Sequence, residues 1–372
     1  AVKGQKILIL DHHPPLRSLD YKDDKDYMYL EINPLHHGID GSYYVCGGGL
    51  CYFLAKEFGY NDLSWIGLLS AIGDMQNTRS GYFEGLNEII QQDAIDSGYL
   101  ELKKGDLNIY GRNTRPLFVA LSYFSDVNLP ITNNTNETMA ILEELGIDEK
   151  HNRKTLSELT DAEKGKLFQR LMSMLTKVVP ARYIEHLPKL IIGDSYTFLK
   201  EDDHSFLRDG SEFSTAMNAC GRNHQEKVAL EVLKGDRMLA LDELESVSKM
   251  HRTNLAKAIS SVAESDEKNI IELENLQYFD GTGIAPEIVG TITGMILGYC
   301  NWKKPIIGFA RTEEGLKVSL RCSRLLSYDG IHFGNIIREV ASLVGGTGGG
   351  HSMACGAYIP IEKQDEFIEL FN

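Results

Sequence analysis

Tryptophan and cysteine are scarce in this chain, with 2 and 6 residues among 372, and long hydrophobic runs are missing. No apolar stretch reaches the ~18 residues that a bilayer-crossing helix needs, and no signal-peptide pattern appears; no membrane partner is expected. The cysteines (Cys46, Cys51, Cys220, Cys300, Cys322, Cys355) include no Cys-x-x-Cys pair and no regular framework. That sets aside zinc ribbons and disulfide scaffolds and indicates a reducing, cytoplasmic setting. Positive charge is also short: 38 Lys and Arg stand against 53 Asp and Glu, a net charge of −15. Such a balance argues against broad, non-specific nucleic-acid binding. The deficit is not uniform. Between Cys300 and Val340, seven basic residues (Lys303, Lys304, Arg311, Lys317, Arg321, Arg324, Arg338) face four acidic ones (Glu313, Glu314, Asp329, Glu339), a region kept for an anion.

What is present is organised around Ile7-Leu8-Ile9-Leu10-Asp11-His12-His13-Pro14. Four apolar residues in a row predict a strand buried on both faces, as in parallel sheets. Asp11, His12 and His13 then fall at its carboxyl end, where open α/β sheets place ligands. A carboxylate beside imidazoles suits manganese, zinc or magnesium that activates water; a polar strand end leading into a loop is the plainer alternative. Asp20, Asp23, Asp24 and Asp26 form an acidic loop, and His36-His37 follow a turn as solvated loop histidines. Gly47-Gly48-Gly49 opens a helix to Phe58; without a P-loop Lys or Ser/Thr, close packing is favoured over phosphate binding. Trp65 to Asp74 is a second apolar run ending in a carboxylate, either a helix cap or, with the upstream motif, a metal ligand.

Further on, Leu86, Ile89, Ile90 and Ala94 space out one buried helix face. Gly111-Arg112-Asn113-Thr114-Arg115-Pro116 is a basic turn, read as a phosphate contact or a solvated loop. Asn133 to Thr138 precedes a helix Met139–Leu145, and Thr160 to Glu163 is a capping box leading into another. The two make a helical insert. Ser211–Arg222 places Asn218 and Arg222 on a helix-to-turn segment, and Asp236–Glu264 is a long connector helix. Gly290, Gly294 and Gly298 recur on one helix that lies close against a neighbour. In Leu316–Cys322, Val318, Leu320 and Cys322 face one way and Lys317, Ser319 and Arg321 the other. With Arg324, the latter side makes a cationic strip for phosphates, or a solvated strand face. Gly345 to Gly350 with His351 holds five glycines in six residues, which let a phosphate or strand end approach the main chain.

Taken together, these stretches resemble the DHH phosphoesterase family, in particular archaeal RecJ-like nucleases. The resemblance rests on Leu10-Asp11-His12-His13-Pro14, Ala71-Ile72-Gly73-Asp74, Gly111 to Pro116, Asn218 to Arg222 and Gly348-Gly349-Gly350-His351-Ser352-Met353-Ala354-Cys355-Gly356, spread over nearly the whole chain. It implies an α/β fold: a parallel-sheet DHH catalytic domain joined by a long helix to a smaller α/β DHH-associated domain. The implied boundaries are residues 1–134 for the catalytic domain, 135–185 for the insert, 186–235 for the end of the catalytic domain, 236–268 for the connector and 269–372 for the DHH-associated domain. It further implies a two-metal Mn2+ or Mg2+ site that cleaves phosphodiesters one nucleotide at a time from single-stranded DNA or RNA, in DNA replication or repair. His12 and Asp74 match metal ligands, Asp11 supports them, and His13 lies by the scissile phosphate. Arg112, Arg115, Asn218, Arg222, Lys317, Arg321, Gly348, Gly349, Gly350 and His351 fall on the substrate-binding side. Archaeal members also resemble a replisome component that binds the GINS complex. Position 355 usually holds Ala, and the family's Asp-x-Asp strand end and further Asp do not precede Asp11. The sequence is therefore expected to be a fragment or split chain, or a non-catalytic relative that scaffolds a replisome. A phosphodiesterase for short oligonucleotides or cyclic dinucleotides is the remaining alternative.

Overall fold

A computed structural model describes residues 6–15, 28–147, 153–264 and 269–372. The acidic loop Asp20–Asp26 lies outside them. Packing divides the chain into two units: residues 1–108 with 192–218, and 109–191 with 219–372.

In unit 1, β1 (Lys6–Leu10) pairs in parallel with β2 (Met28–Ile32), from Lys6 opposite Met28 to Leu10 opposite Ile32. The predicted burial of β1 on both faces does not hold. Leu8 is 45% exposed, and Ile7, Ile9 and Leu10 are half-buried. Among the described residues these two strands form a sheet by themselves, with no further strand paired beside them. Helix α1 (Gly47–Glu57) starts where the Cys46 Sγ accepts the Gly49 N–H. The glycine run serves packing. A Cβ on Gly48 would overlap Ser70 of α2 (Ser64–Gly73), and one on Gly67 would stand 2.8 Å from Tyr52. In α3 (Leu86–Asp96) the buried face is Asn87, Ile90 and Ala94, while Ile89 faces out.

Strand β3 (Leu100–Leu107) ends unit 1's first stretch. The intervening segment, in unit 2, holds α4 (Leu117–Ser122), α5 (Thr135–Glu144) and α6 (Asp161–Val178). Helix α5 begins earlier than expected because the Asn134 side chain accepts the Glu137 N–H and caps it. Thr160 and Glu163 form the predicted capping box of α6. Hydrogen bonds from Lys154 and Thr160 hold the Glu163 carboxyl down at about 2. The chain returns in β4 (Ile192–Phe198), antiparallel to β3, with Leu107 opposite Ile192. The whole segment 109–191 thus leaves and re-enters unit 1 at one paired position. Helix α7 (Gly210–Arg222) is continuous through Asn218 and Arg222, not a helix-to-turn segment.

The rest of unit 2 comprises α8 (Glu226–Leu233), the long α9 (Leu239–Ala263), and a six-stranded sheet with its helices. The sheet elements are β5 (Ile270–Glu272), β6 (Gln277–Asp280), α10 (Pro286–Met295), β7 (Ile306–Arg311), β8 (Leu316–Arg321), α11 (Arg324–Tyr328), α12 (Phe333–Leu343), β9 (Thr347–Gly350), β10 (Ala354–Ile359) and α13 (Gln364–Phe371). Their order is β5-β6-β7-β8-β10-β9, parallel only at β6/β7. One face packs Val318 and Leu320 against Phe333, Ile337 and Phe367 of α12 and α13. The other packs Phe279 and Ile306 against Leu255 of α9 and Val289 and Ile292 of α10. The architecture is mixed α/β. Among the described residues no helix is long and apolar enough to cross a membrane.

Candidate functional site

The turn after β1 is tied to the Asp11 carboxylate. Its Oδ1 accepts the His12 N–H at 2.7 Å, the His13 N–H at 3.2 Å and the His13 Nδ1 at 2.8 Å. Partial burial pushes Asp11 up, but the hydrogen bonds from His13 and His12 outweigh it, and the carboxyl ends below its ordinary value. Asn33 Nδ2 donates to the His13 carbonyl at 2.9 Å and ties the turn to the end of β2. Among the described residues, one atom each of Asp11, His12 and His13 lies within 4.8 Å of the others, a spacing that could hold a metal ion. His36 and His37 sit in a short helical turn, Pro34–His37, outside that group.

His12 is buried, and its Nδ1 lies 2.7 Å from the Gly41 carbonyl oxygen. A carbonyl only accepts, so Nδ1 carries the hydrogen, and in the neutral ring the lone pair is then on Nε2, the form a metal-binding histidine uses. The carboxylate Oδ2 of Asp74, at the end of α2, is 3.8 Å from the same Nδ1. Gln76 Nε2 bridges the two, donating to the Gly41 carbonyl at 2.8 Å and to Asp74 Oδ2 at 2.9 Å. Asn218, on α7, donates to the Gly73 carbonyl at 3.3 Å and so braces the residue before Asp74. Unit 1 thus gathers Asp11, His12, His13 and Asp74, with Asn218 beside them.

Gly41, Gln76 and Asn87 are not singled out by the sequence. Asn87 could have been, because it lies at i, i+3, i+7 spacing with Ile90 and Ala94 on the apolar side of α3. A polar residue there needs a buried partner. Gly41 is required by contact, since a Cβ would overlap the His12 carbonyl oxygen and stand 2.8 Å from its Cβ. Gly41→Ala should therefore displace the His12 turn and cost about 1–3 kcal/mol, read as a lowered urea midpoint. An unchanged midpoint would show that the turn has slack.

In unit 2, Arg222, Lys317 and Arg321 share one neighbourhood. Arg222 Nη1 donates to the Glu287 carbonyl at the start of α10, at 2.8 Å. The Arg321 side chain lies over Gly290 and Gly294, where a Cβ on Gly290 would stand 3.1 Å from Nη2. The glycine repeat therefore makes room for a guanidinium as well as for the sheet; Gly298 instead meets Thr132 and Asn133. Burial lowers the Lys317 ammonium, and the Arg222 and Arg321 charges lower it further against the pull of Glu287. Burial also lowers Arg222 and Arg321. Bringing an anion to this cluster relieves both costs.

Ala354 lies opposite Arg321, and its carbonyl accepts the His351 N–H at 3.0 Å. Gly348, Gly349 and Gly350 form the edge strand β9 beside β10. Gly350 has φ 126°, open to glycine alone, and a Cβ there would crowd Cys355 at 2.8 Å. Much of the glycine content is thus explained by strand and helix contact. Arg324 departs from the expected strip. It is half-buried and bound to Asp126, with its Nε 3.1 Å from both carboxylate oxygens. Arg112 and Arg115 lie in the turn before α4, within unit 2. The Arg115 guanidinium sits over the rings of Tyr110 and Tyr123, 5.2 and 5.1 Å from their centroids.

Two family models match the chain, the DHH-CID domain over residues 109–188 and the DHHA1 domain over residues 273–372. An uncharacterized protein of Methanocaldococcus jannaschii is 29% identical over 364 residues, 97% of this chain and 74% of its own length. Among solved structures, CDC45 from Entamoeba histolytica is similar with a TM-score of 0.54 and 13% identity, over 98% of this chain and 78% of that one. RecJ from Thermus thermophilus, solved in complex with Mn2+, gives a TM-score of 0.46 and 12% identity, over 98% of this chain and 40% of that one. At such identity the likeness to CDC45 concerns the fold alone.

Proposed function

We propose that this chain, which matches the DHH-CID domain model over residues 109–188 and the DHHA1 domain model over residues 273–372, is a DHH-family, divalent-metal-dependent phosphodiesterase releasing nucleotides from an end of single-stranded DNA or RNA, with a role in replication or repair. The observation that carries this reading is the meeting of Asp11, His12 and His13 within 4.8 Å at the strand end; Asp74 lies beside the same imidazole, its Oδ2 3.8 Å from the hydrogen-bearing Nδ1 of His12. Carboxylate oxygen suits Mn2+ or Mg2+, and the imidazole nitrogen favours Mn2+ of the two. His12 and Asp74 would hold the ion and Asp11 would support it. When bound, it supplies Lewis-acid activation of water and neutralises phosphate charge. A second ion would need further carboxylates, including a bridging one; the described cluster supplies Asp11 and Asp74.

The chain's own residues do the positioning. Asp11 holds the His13 Nδ1 at 2.8 Å and so fixes the orientation of the ring that would meet a phosphate. Arg222, Lys317 and Arg321 supply cationic contacts for the sugar-phosphate chain, and phosphate contacts set register without reading sequence. A strand-holding replisome subunit without hydrolysis, able to bind the GINS complex, is the second reading. It is favoured by the commitment of Asp11 Oδ1 to three hydrogen bonds. To decide, the full chain is incubated with an end-labelled single strand and, separately, a dinucleotide. Stepwise nucleotide release in Mn2+, abolished by EDTA, is the expected result. Strand binding without cleavage in any divalent ion would leave the scaffold reading, and cleavage of the dinucleotide alone would redirect the substrate to short oligonucleotides.

A further inference from the structure

Gln76 is 2% exposed, and a buried amide must place both its donors and its acceptor. Its Nε2 serves two acceptors, the Gly41 carbonyl and Asp74 Oδ2. Its Oε1 accepts from Asn87 Nδ2 at 2.6 Å. Asn87 is set by its two donated bonds, the second from Nδ2 to the Tyr43 carbonyl at 3.2 Å, while its buried Oδ1 meets no partner among the described residues. The Gln76 amide can therefore stand only one way round. Turned over, its oxygen would face a carbonyl oxygen and a carboxylate, and its NH2 would face the NH2 of Asn87. The Gly41 oxygen that it holds is the one that meets His12 Nδ1. Two donors on one carbonyl keep that oxygen from turning, so the imidazole is held in the form with the lone pair on Nε2.

We infer that Gln76 is a positioning residue, which holds the tautomer of His12 through the Gly41 carbonyl and the orientation of Asp74 through Oδ2. The inference rests on the metal reading above. It gives one buried side chain a hold on both ligands, and Asn87 sets that side chain from behind. A glutamate at position 76 would turn an oxygen toward Asp74 and the Gly41 carbonyl, replacing two attractions by repulsion. Methionine keeps the length and apolar bulk but makes none of the hydrogen bonds.

The test uses the full chain. In the metal-free protein, nitrogen NMR of His12, assigned by comparison with His12→Asn, should report hydrogen on Nδ1. Mn2+ titration followed by electron paramagnetic resonance should show affinity reduced roughly 10–100-fold in Gln76→Met, as for other groups that orient metal ligands. Gln76→Glu should also bind more weakly and release the His12 tautomer to a mixture. In a His12→Ala background, Gln76→Met should cost less than it does alone, since the two act on one ion. Hydrogen on Nε2 of His12 in the unsubstituted, metal-free chain would overturn the assignment, and that measurement needs no variant to fold. Equal Mn2+ affinity for Gln76→Met and the unsubstituted chain, with binding lost in His12→Ala, overturns the positioning role while sparing the metal reading. Absence of Mn2+ binding by the unsubstituted chain removes the metal reading and the inference with it.

Discussion

Arg324→Met should destabilise unit 2 by about 3 kcal/mol, the low end of the cost of removing one partner from a buried ion pair, because the two side chains are partly buried, 17% and 19% exposed. Arg324 Nη2 is 2.6 Å from Asp126 Oδ2, and its backbone N–H also meets Oδ1, at 3.2 Å. The remaining guanidinium donors go to the carbonyls of Lys189 and Leu190, at 3.1 and 2.9 Å. Burial alone would lower the Arg324 guanidinium, but the Asp126 charge reverses that and raises it. Methionine fills similar space yet leaves a carboxylate and two carbonyl oxygens facing an apolar side chain. The pair joins the segment 109–191 to the sheet of unit 2, where Tyr183 also donates to Asp329. The chain's 2 tryptophans divide between the units, Trp65 in the first and Trp302 in the second. In a Trp65→Phe background, urea unfolding followed by fluorescence therefore reports unit 2. Arg324→Met should lower the midpoint, and adding Asp126→Leu should restore much of the loss, because an apolar pair leaves no uncompensated charge. A single-variant loss below about 1 kcal/mol would place the pair with ordinary surface contacts.

Arg321 and Arg324 show where the sequence stops being legible. Both belong to the same basic window, three positions apart, and both read as parts of one strip. Their fates differ because Asp126, 198 positions before Arg324, reaches only one of them. What can be read is local. The capping box at Thr160 and Glu163 needs partners three residues apart. The alternation of β8 sends Val318 and Leu320 to one core and leaves Arg321 on the α10 side. The clustering of Asp11, His12 and His13 follows from three consecutive residues at a strand end. The expected burial of β1 fails because an apolar run states a preference for cover and not how many layers supply it. Helix α5 starts before its expected position because Asn133 to Thr138 looks like turn chemistry, and the same Asn134 that suits a turn also suits a cap. The network from His12 through Gly41 and Gln76 to Asn87 joins positions 29, 35 and 11 residues apart. No periodicity announces such a set, although a polar residue on the inner side of α3 is its one visible trace.

His12→Ala should lower Mn2+ affinity and Mn2+-dependent hydrolysis by at least about 100-fold, because groups that only orient a ligand already cost 10–100-fold. The fold should lose far less. The Gly41 carbonyl keeps its hydrogen bond from Gln76, so removing the imidazole strands no buried acceptor. Loss of the Nδ1 bond to the Gly41 carbonyl should cost about 1 kcal/mol. Strand binding should persist as well, since the Arg222, Lys317 and Arg321 cluster belongs to unit 2 and His12 to unit 1. Three measurements on one variant thus separate the roles: metal titration, urea unfolding and strand binding in EDTA. A variant that melts normally, binds a single strand normally and has lost both Mn2+ and hydrolysis assigns the chemistry to the strand-end cluster. Hydrolysis within about 10-fold of the unsubstituted chain, a difference of only about 1.4 kcal/mol in barrier, would mean that the reacting phosphate is met by other groups. The DHH turn would then be a structural corner, held by Asp11 for the sake of the backbone alone.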